Sequence, residues 1–187
     1  MTSRLLFARL LAAAALALAA VGASAALTPG ASITALQDGS PSLLGADSGY
    51  AAGPGSNVTA LSDSDLEFLT ADFAIGIDFF SSGLLQLYDN GGSGLAGSTV
   101  LAFDFSGLAA PLGSVSVDLS ALLSGSVTAT LLNDHTLQLT LSDVQLADSF
   151  GPLGLQLQTV PEPAPLALLA AAALGAALQR RAGRRGH

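Results

Sequence analysis

From Asp65 onward the chain alternates apolar and polar residues with a period of two. In "ADFAIGIDFF" Phe73, Ile75, Ile77 and Phe79 fall on one side, and in "LLQLYD" Leu85 and Leu87 do. In "TVLAFDFSG" Leu101, Phe103 and Phe105 alternate with Ala102 and Asp104, and in "SVSVDLS" Val115, Val117 and Leu119 alternate with Ser116 and Asp118. Successive side chains of a strand point to opposite faces, so this period predicts half-buried β-strands and excludes amphipathic helices. The clearest hairpin is "SVTATLLNDHTLQLTLSD". There Val127, Ala129 and Leu131 face Leu137, Leu139 and Leu141 across a turn at Asn133-Asp134-His135. Val144–Leu146 and Leu153–Leu157 read as edge strands. Ser32–Leu36 reads as one short strand in an otherwise loop-like stretch from residue 26 to residue 60. The expected fold is an all-β, antiparallel β-sandwich or jelly-roll-like domain over residues 26–158.

Charge narrows the partners. The six cationic side chains are all arginines, Arg4 and Arg9 at one end and Arg180, Arg181, Arg184 and Arg185 at the other. Between residues 26 and 160 there is no Lys or Arg, and thirteen of the fourteen acids lie there. Nucleic acid is excluded as a partner of this domain, because phosphate binding requires cations on the protein. With no cysteine in the chain, no disulfide or thiolate metal site holds it together.

The two ends carry addresses. Arg4 and Arg9 form a basic lead, Leu10 to Val21 an Ala/Leu run, and Ala23-Ser24-Ala25 a small-residue site with Ala23 and Ala25 at the positions a signal peptidase reads. Residues 1–25 are therefore expected to be a signal peptide, engaged by the export translocon and cleaved after Ala25. Residues 159–187 hold Val160-Pro161-Glu162-Pro163, a 13-residue apolar stretch from Leu166 to Leu178, and the four arginines. At about 1.5 Å per residue that stretch makes about 20 Å of helix, short of a hydrocarbon core of about 30 Å. It is a marginal transmembrane helix in the inner membrane, and its arginines favour a cytoplasmic end. The prolines disfavour helix and hold Glu162 in an extended segment just outside it.

This tail resembles the PEP-CTERM sorting signal, also called the ice-binding protein C-terminal motif. The shared pattern is V-P-E-P, a short transmembrane helix and a basic cluster, here Val160-Pro161-Glu162-Pro163, Leu166–Leu178 and Arg180/Arg181/Arg184/Arg185. The resemblance covers about the last 28 residues. It implies a Gram-negative bacterium, processing of the tail by the membrane enzyme exosortase, and delivery to the cell surface or extracellular matrix, often beside exopolysaccharide. The expected function is that of a non-catalytic exported protein. Two alternatives stand beside it. One is a secreted carbohydrate-binding or hydrolytic protein with an acidic, calcium-binding face; the other is a permanently anchored envelope protein.

Within the exported domain catalytic and cofactor signatures are absent. His135 sits alone in a predicted turn, and no G-x-S-x-G, H-E-x-x-H or P-loop pattern occurs. In "SDSDLE" Asp63, Asp65 and Glu67 would share one face of a strand, a geometry suited to Ca²⁺. Ser64 with Glu67 also makes a capping box for a short helix. The incomplete ligand set favours that helix or a solvated loop. "GGSGLAGST" has Ala96 where a calcium nonapeptide needs aspartate, and reads as a turn. Asn57-Val58-Thr59 is an N-x-T sequon, and Thr128-Ala129-Thr130 is a single Thr-x-Thr.

Overall fold

The computed structural model describes residues 27–92, 94–148 and 151–160. Eleven strands follow one another: β1 (Ser32–Gln37), β2 (Leu44–Gly45), β3 (Val58–Ala60), β4 (Phe68–Leu69), β5 (Ile75–Phe79), β6 (Leu84–Asp89), β7 (Leu95–Ser106), β8 (Leu112–Val117), β9 (Leu122–Leu131), β10 (Thr136–Leu146) and β11 (Pro152–Thr159). The only helical pieces among the described residues are two single 3₁₀ turns, Ala46–Ser48 and Leu119–Ala121. All strand pairs are antiparallel. They form a five-stranded sheet in the order β3-β1-β7-β10-β9 and a six-stranded sheet in the order β2-β4-β5-β6-β11-β8.

The sheets face each other through the residues that the alternation points inward. Ile33, Ala35, Leu101, Phe103, Leu137, Leu139 and Leu141 of the first sheet meet Phe68, Ile77, Phe79, Leu85, Leu153, Leu155 and Leu157 of the second in a single buried cluster. Phe103 is its centre: its ring lies 5.0 Å from that of Phe79 and 6.2 Å from that of Phe68, and Phe79 also stands edge-on to Phe105 at 5.3 Å. Each such side chain withdrawn from water contributes about 1.5–3 kcal/mol, which is how a domain without disulfides is held together.

The β9–β10 hairpin has the expected register, with Leu131 opposite Leu137, Ala129 opposite Leu139 and Val127 opposite Leu141. Elsewhere the structure corrects the expectation. Phe73 does not join the core face: it sits in a turn at φ +60° and is 53% exposed. Its N–H donates to the Thr70 carbonyl, and β5 starts two residues later. Leu119 lies in a 3₁₀ turn and is half exposed, because Asp118 caps Ser120 N–H and ends the extended run. Val144–Leu146 is not a separate strand. It continues β10 past a bulge at Asp143, where one extra residue inverts the alternation. β11 is no edge strand either, since it pairs with β6 on one side and β8 on the other. The loop-like stretch before residue 61 holds three strands, of which β2 and β3 are too short for a period to show.

Candidate functional site

Of the residues in which the sequence places the sorting and processing sites, Val160 alone is described. Ala23, Ala25, Pro161, Glu162, Pro163, Arg180, Arg181, Arg184 and Arg185 lie outside the described residues, as do both predicted helices. Val160 follows directly on β11. Its N–H donates to the Pro111 carbonyl at 2.8 Å, and its side chain is 49% exposed. The last strand therefore ends at the buried Thr159, and the exposed Val160 stands between it and Pro161.

The densest acidic group forms around "SDSDLE". These residues make neither the strand nor the capped helix expected of them. Residues 61–67 run as an irregular loop, and the three carboxylates part company. Asp63 turns to the β5–β6 turn and accepts from Ser81 N–H at 2.6 Å and Ser81 Oγ at 2.7 Å. Those bonds, the hydroxyl's first, hold its carboxyl below the usual range. Asp65 accepts from Ser64 Oγ at 2.9 Å. Glu67 turns inward and is 1% exposed. One of its oxygens accepts from Ser62 N–H at 2.8 Å and the other from Phe79 N–H at 2.6 Å. The reach back is that of a capping box, but the target is Ser62 and not Ser64, so it ties the loop to β5 instead of starting a helix.

Burial pushes Glu67 up to about 7 against the pull of those two N–H groups, and the nearby Asp78 adds to the rise. Asp78 itself is raised by burial, relieved in part by a hydrogen bond with the Glu67 side chain. Tyr50 leans over the same loop and donates to the Leu66 carbonyl. Burial lifts its phenol, as do the charges of Asp65, Glu67 and Asp78. The more perturbed of the two carboxyls is sealed from solvent. Glu67 is a structural clasp: it satisfies two backbone donors that a loop crossing the sheet would otherwise strand.

No group of three or more His, Asp or Glu side chains is placed to hold a metal ion among the described residues. Asp63, Asp65 and Glu67 thus do not form the calcium face their spacing allows. The "GGSGLAGST" turn is organised by an acid upstream of it. Asp89, 3% exposed, accepts from the N–H groups of Gly91, Gly92 and Gly94 at 3.0, 2.8 and 2.6 Å. Glu67 and Asp89 were not singled out as buried acids by the sequence. The signal for Asp89 was present in "DNGG", an acid followed by a turn that brings backbone N–H groups back to it.

His135 lies in the β9–β10 turn, as expected. Its Nδ1 is 2.7 Å from Asp104 Oδ1, which also accepts from Thr136 Oγ1 at 2.8 Å, and its Nε2 lies 3.7 Å from Asp134. Both ring nitrogens face carboxylates, and Nδ1 also lies 3.2 Å from Thr136 Oγ1, whose proton goes to Asp104, so this cluster fastens the hairpin turn to β7. Asn57 of the sequon is buried, and its amide donates to the Ala35 carbonyl at 3.0 Å. It serves the β1–β3 connection and offers no free amide for modification.

No protein-family model matches the chain, and neither a curated protein nor a solved structure matches it.

Proposed function

We propose that this is an exported cell-surface or extracellular-matrix protein, non-catalytic, sorted and processed by exosortase through its C-terminal tail and associated with exopolysaccharide. The observation that carries the reading is the ordered set of Val160-Pro161-Glu162-Pro163, the apolar stretch Leu166–Leu178 and the four arginines, combined with the export signal over residues 1–25. The fold is compatible with it. β11 ends at Thr159, so the motif begins in the sequence where the last described strand stops. The strand order, in which β6, β7 and β8 change sheet in turn and β10 and β11 return beside β7 and β6, is read as jelly-roll-like. Such a domain is cargo delivered by its ends.

Intact-mass measurement on protein recovered outside the cell tests this. The released form should begin near Ala26 and lack Arg180 to His187. Recovery with the arginines still attached overturns the exosortase reading. Replacing Pro161, Glu162 and Pro163 together by alanine should hold the protein in the inner membrane, and unchanged release would count equally against it.

A further inference from the structure

The two sides of the sandwich end differently. On one side lie the short strands β2 and β3. Their edge is closed: Asp47 places a carboxylate oxygen 2.9 Å from Ala60 N–H, the donor that β3 would offer an incoming strand, and Asp47 N–H donates to Thr59 Oγ1. On the other side the sheets end in β8 and β9, six and ten residues long. Among the described strands β9 pairs with β10 alone.

The ladder shows which groups β9 leaves open. Leu132 N–H donates to the Thr136 carbonyl at 2.9 Å, and Leu131 stands opposite Leu137. Antiparallel alternation then turns the N–H and C=O groups of Thr128 and Thr130 toward β10, and those of Val127, Ala129 and Leu131 outward. Natural edges are usually guarded by a lysine, a proline, a bulge or a short strand. The β9–β10 ladder shifts register opposite Gly125, but Ser126–Leu131 beyond it is regular. No ionisable side chain and no proline lies between Asp118 and Asp134. Leu119, Leu123 and Leu132, 50%, 68% and 55% exposed, stand at the two ends of this edge.

We propose that the β9 edge is a self-association surface, on which two copies of the chain pair β9 to β9 in antiparallel fashion about a two-fold axis through Ser126–Leu131. Charge selects the occupant. An incoming strand meets neither cation nor anion along Ser126–Leu131, and β9 itself is uncharged over the same length. Two copies that each carry thirteen acids and no Lys or Arg between residues 26 and 160 repel less when they meet along an uncharged segment, and Asp118 and Asp134 lie beyond the two ends of β9. Asp63, Asp65, Glu67, Asp72 and Asp78 belong to β4, β5 and their connections, at the far end of the other sheet. The pairing also extends the outer face, where Ser126 already aligns with Ser142 and Ser98, and Thr128 with Thr140. Small hydroxyl side chains make favourable cross-strand pairs. An isologous contact of this kind closes on itself as a dimer.

The absence of cysteine makes the test clean. Opposed residues of an antiparallel pair have Cα atoms about 4.5–5.5 Å apart, within disulfide reach. Ser126→Cys, Thr128→Cys and Thr130→Cys singly, and Thr128→Cys with Thr130→Cys, are introduced into the full chain and oxidised mildly. At least one should run at doubled mass on a non-reducing gel. Val58→Cys, on the closed β3 edge, should stay at single mass. Thr128→Lys in the cysteine-free chain should halve the solution mass measured by light scattering and leave the melting temperature in place. Single mass in every β9 variant, equal cross-linking at Val58, a cross-link to a protein of another mass, or an unchanged mass in Thr128→Lys overturns the proposal. The readout is mass and not location, so it stands apart from the sorting reading.

Discussion

Glu67 shows how much a single side chain can decide when it is buried among uncompensated acids. Its folded-state value of about 7 lies above its ordinary 4.5, so between those values the folded protein binds more protons than the unfolded chain. Stability from this group is fully present below about pH 4.5, falls as the pH rises through about 7, and changes little beyond. Glu67→Gln removes the titration but leaves an amide donor facing one of two backbone donors, Ser62 N–H and Phe79 N–H. The variant should lose about 1–3 kcal/mol at pH 5. Its melting temperature should then fall less than the parent's between pH 5 and pH 8. Parallel melting curves for parent and variant over that range would show that Glu67 is already ionised in the folded protein.

Among the elements, the β9–β10 ribbon shows a bulge holding two stretches of strand in one sheet. Gly125 sits at φ +87°, and a Cβ there would overlap the carbonyl oxygens of Ser142 and Asp143. Opposite it Asp143 takes φ +48° and secures the site by accepting from Gly97 N–H at 2.9 Å. Gly125→Ala should cost about 1–3 kcal/mol from backbone conformation alone, with more from the overlap. Denaturant titration should register this as a lower midpoint at unchanged slope. A midpoint equal to the parent's would mean that β9 relaxes out of the bulge. The same bulge explains why Val144–Leu146 resembled a new strand. Alternation reports which face a residue takes, and one inserted residue reverses the report without ending the strand.

For the whole molecule the governing quantity is charge. Thirteen carboxylates share the region between residues 26 and 160 with one histidine and no Lys or Arg, so compaction concentrates like charge. Added salt screens such charges over about 10 Å at 0.1 M, and the melting temperature at pH 8 should rise with sodium chloride. Because the described acids gather in no group fit to hold a metal ion, calcium at matched ionic strength should give the same rise. Stabilisation by calcium beyond that, lost on changing Asp63, Asp65 or Glu67, would restore the calcium-binding face.

The all-β class, the inward rows of β6, β7 and β10, and the β9–β10 register were legible in the sequence, because a period of two and a turn-rich spacer are local properties. The export and sorting readings at the two ends rest on linear segments alone and, Val160 apart, lie outside the described residues. What needed the tertiary structure was every choice between partners distant in sequence. The placement of β11 inside its sheet depends on β6 and β8, which it reaches across dozens of residues. The inward turn of Glu67 depends on a backbone donor at Phe79, and the fate of Asp63 on Ser81. A carboxylate faces solvent, a metal or the core according to which unpaired donors the fold brings within about 3 Å of it. Spacing along a loop fixes none of those donors, since strand pairing places them.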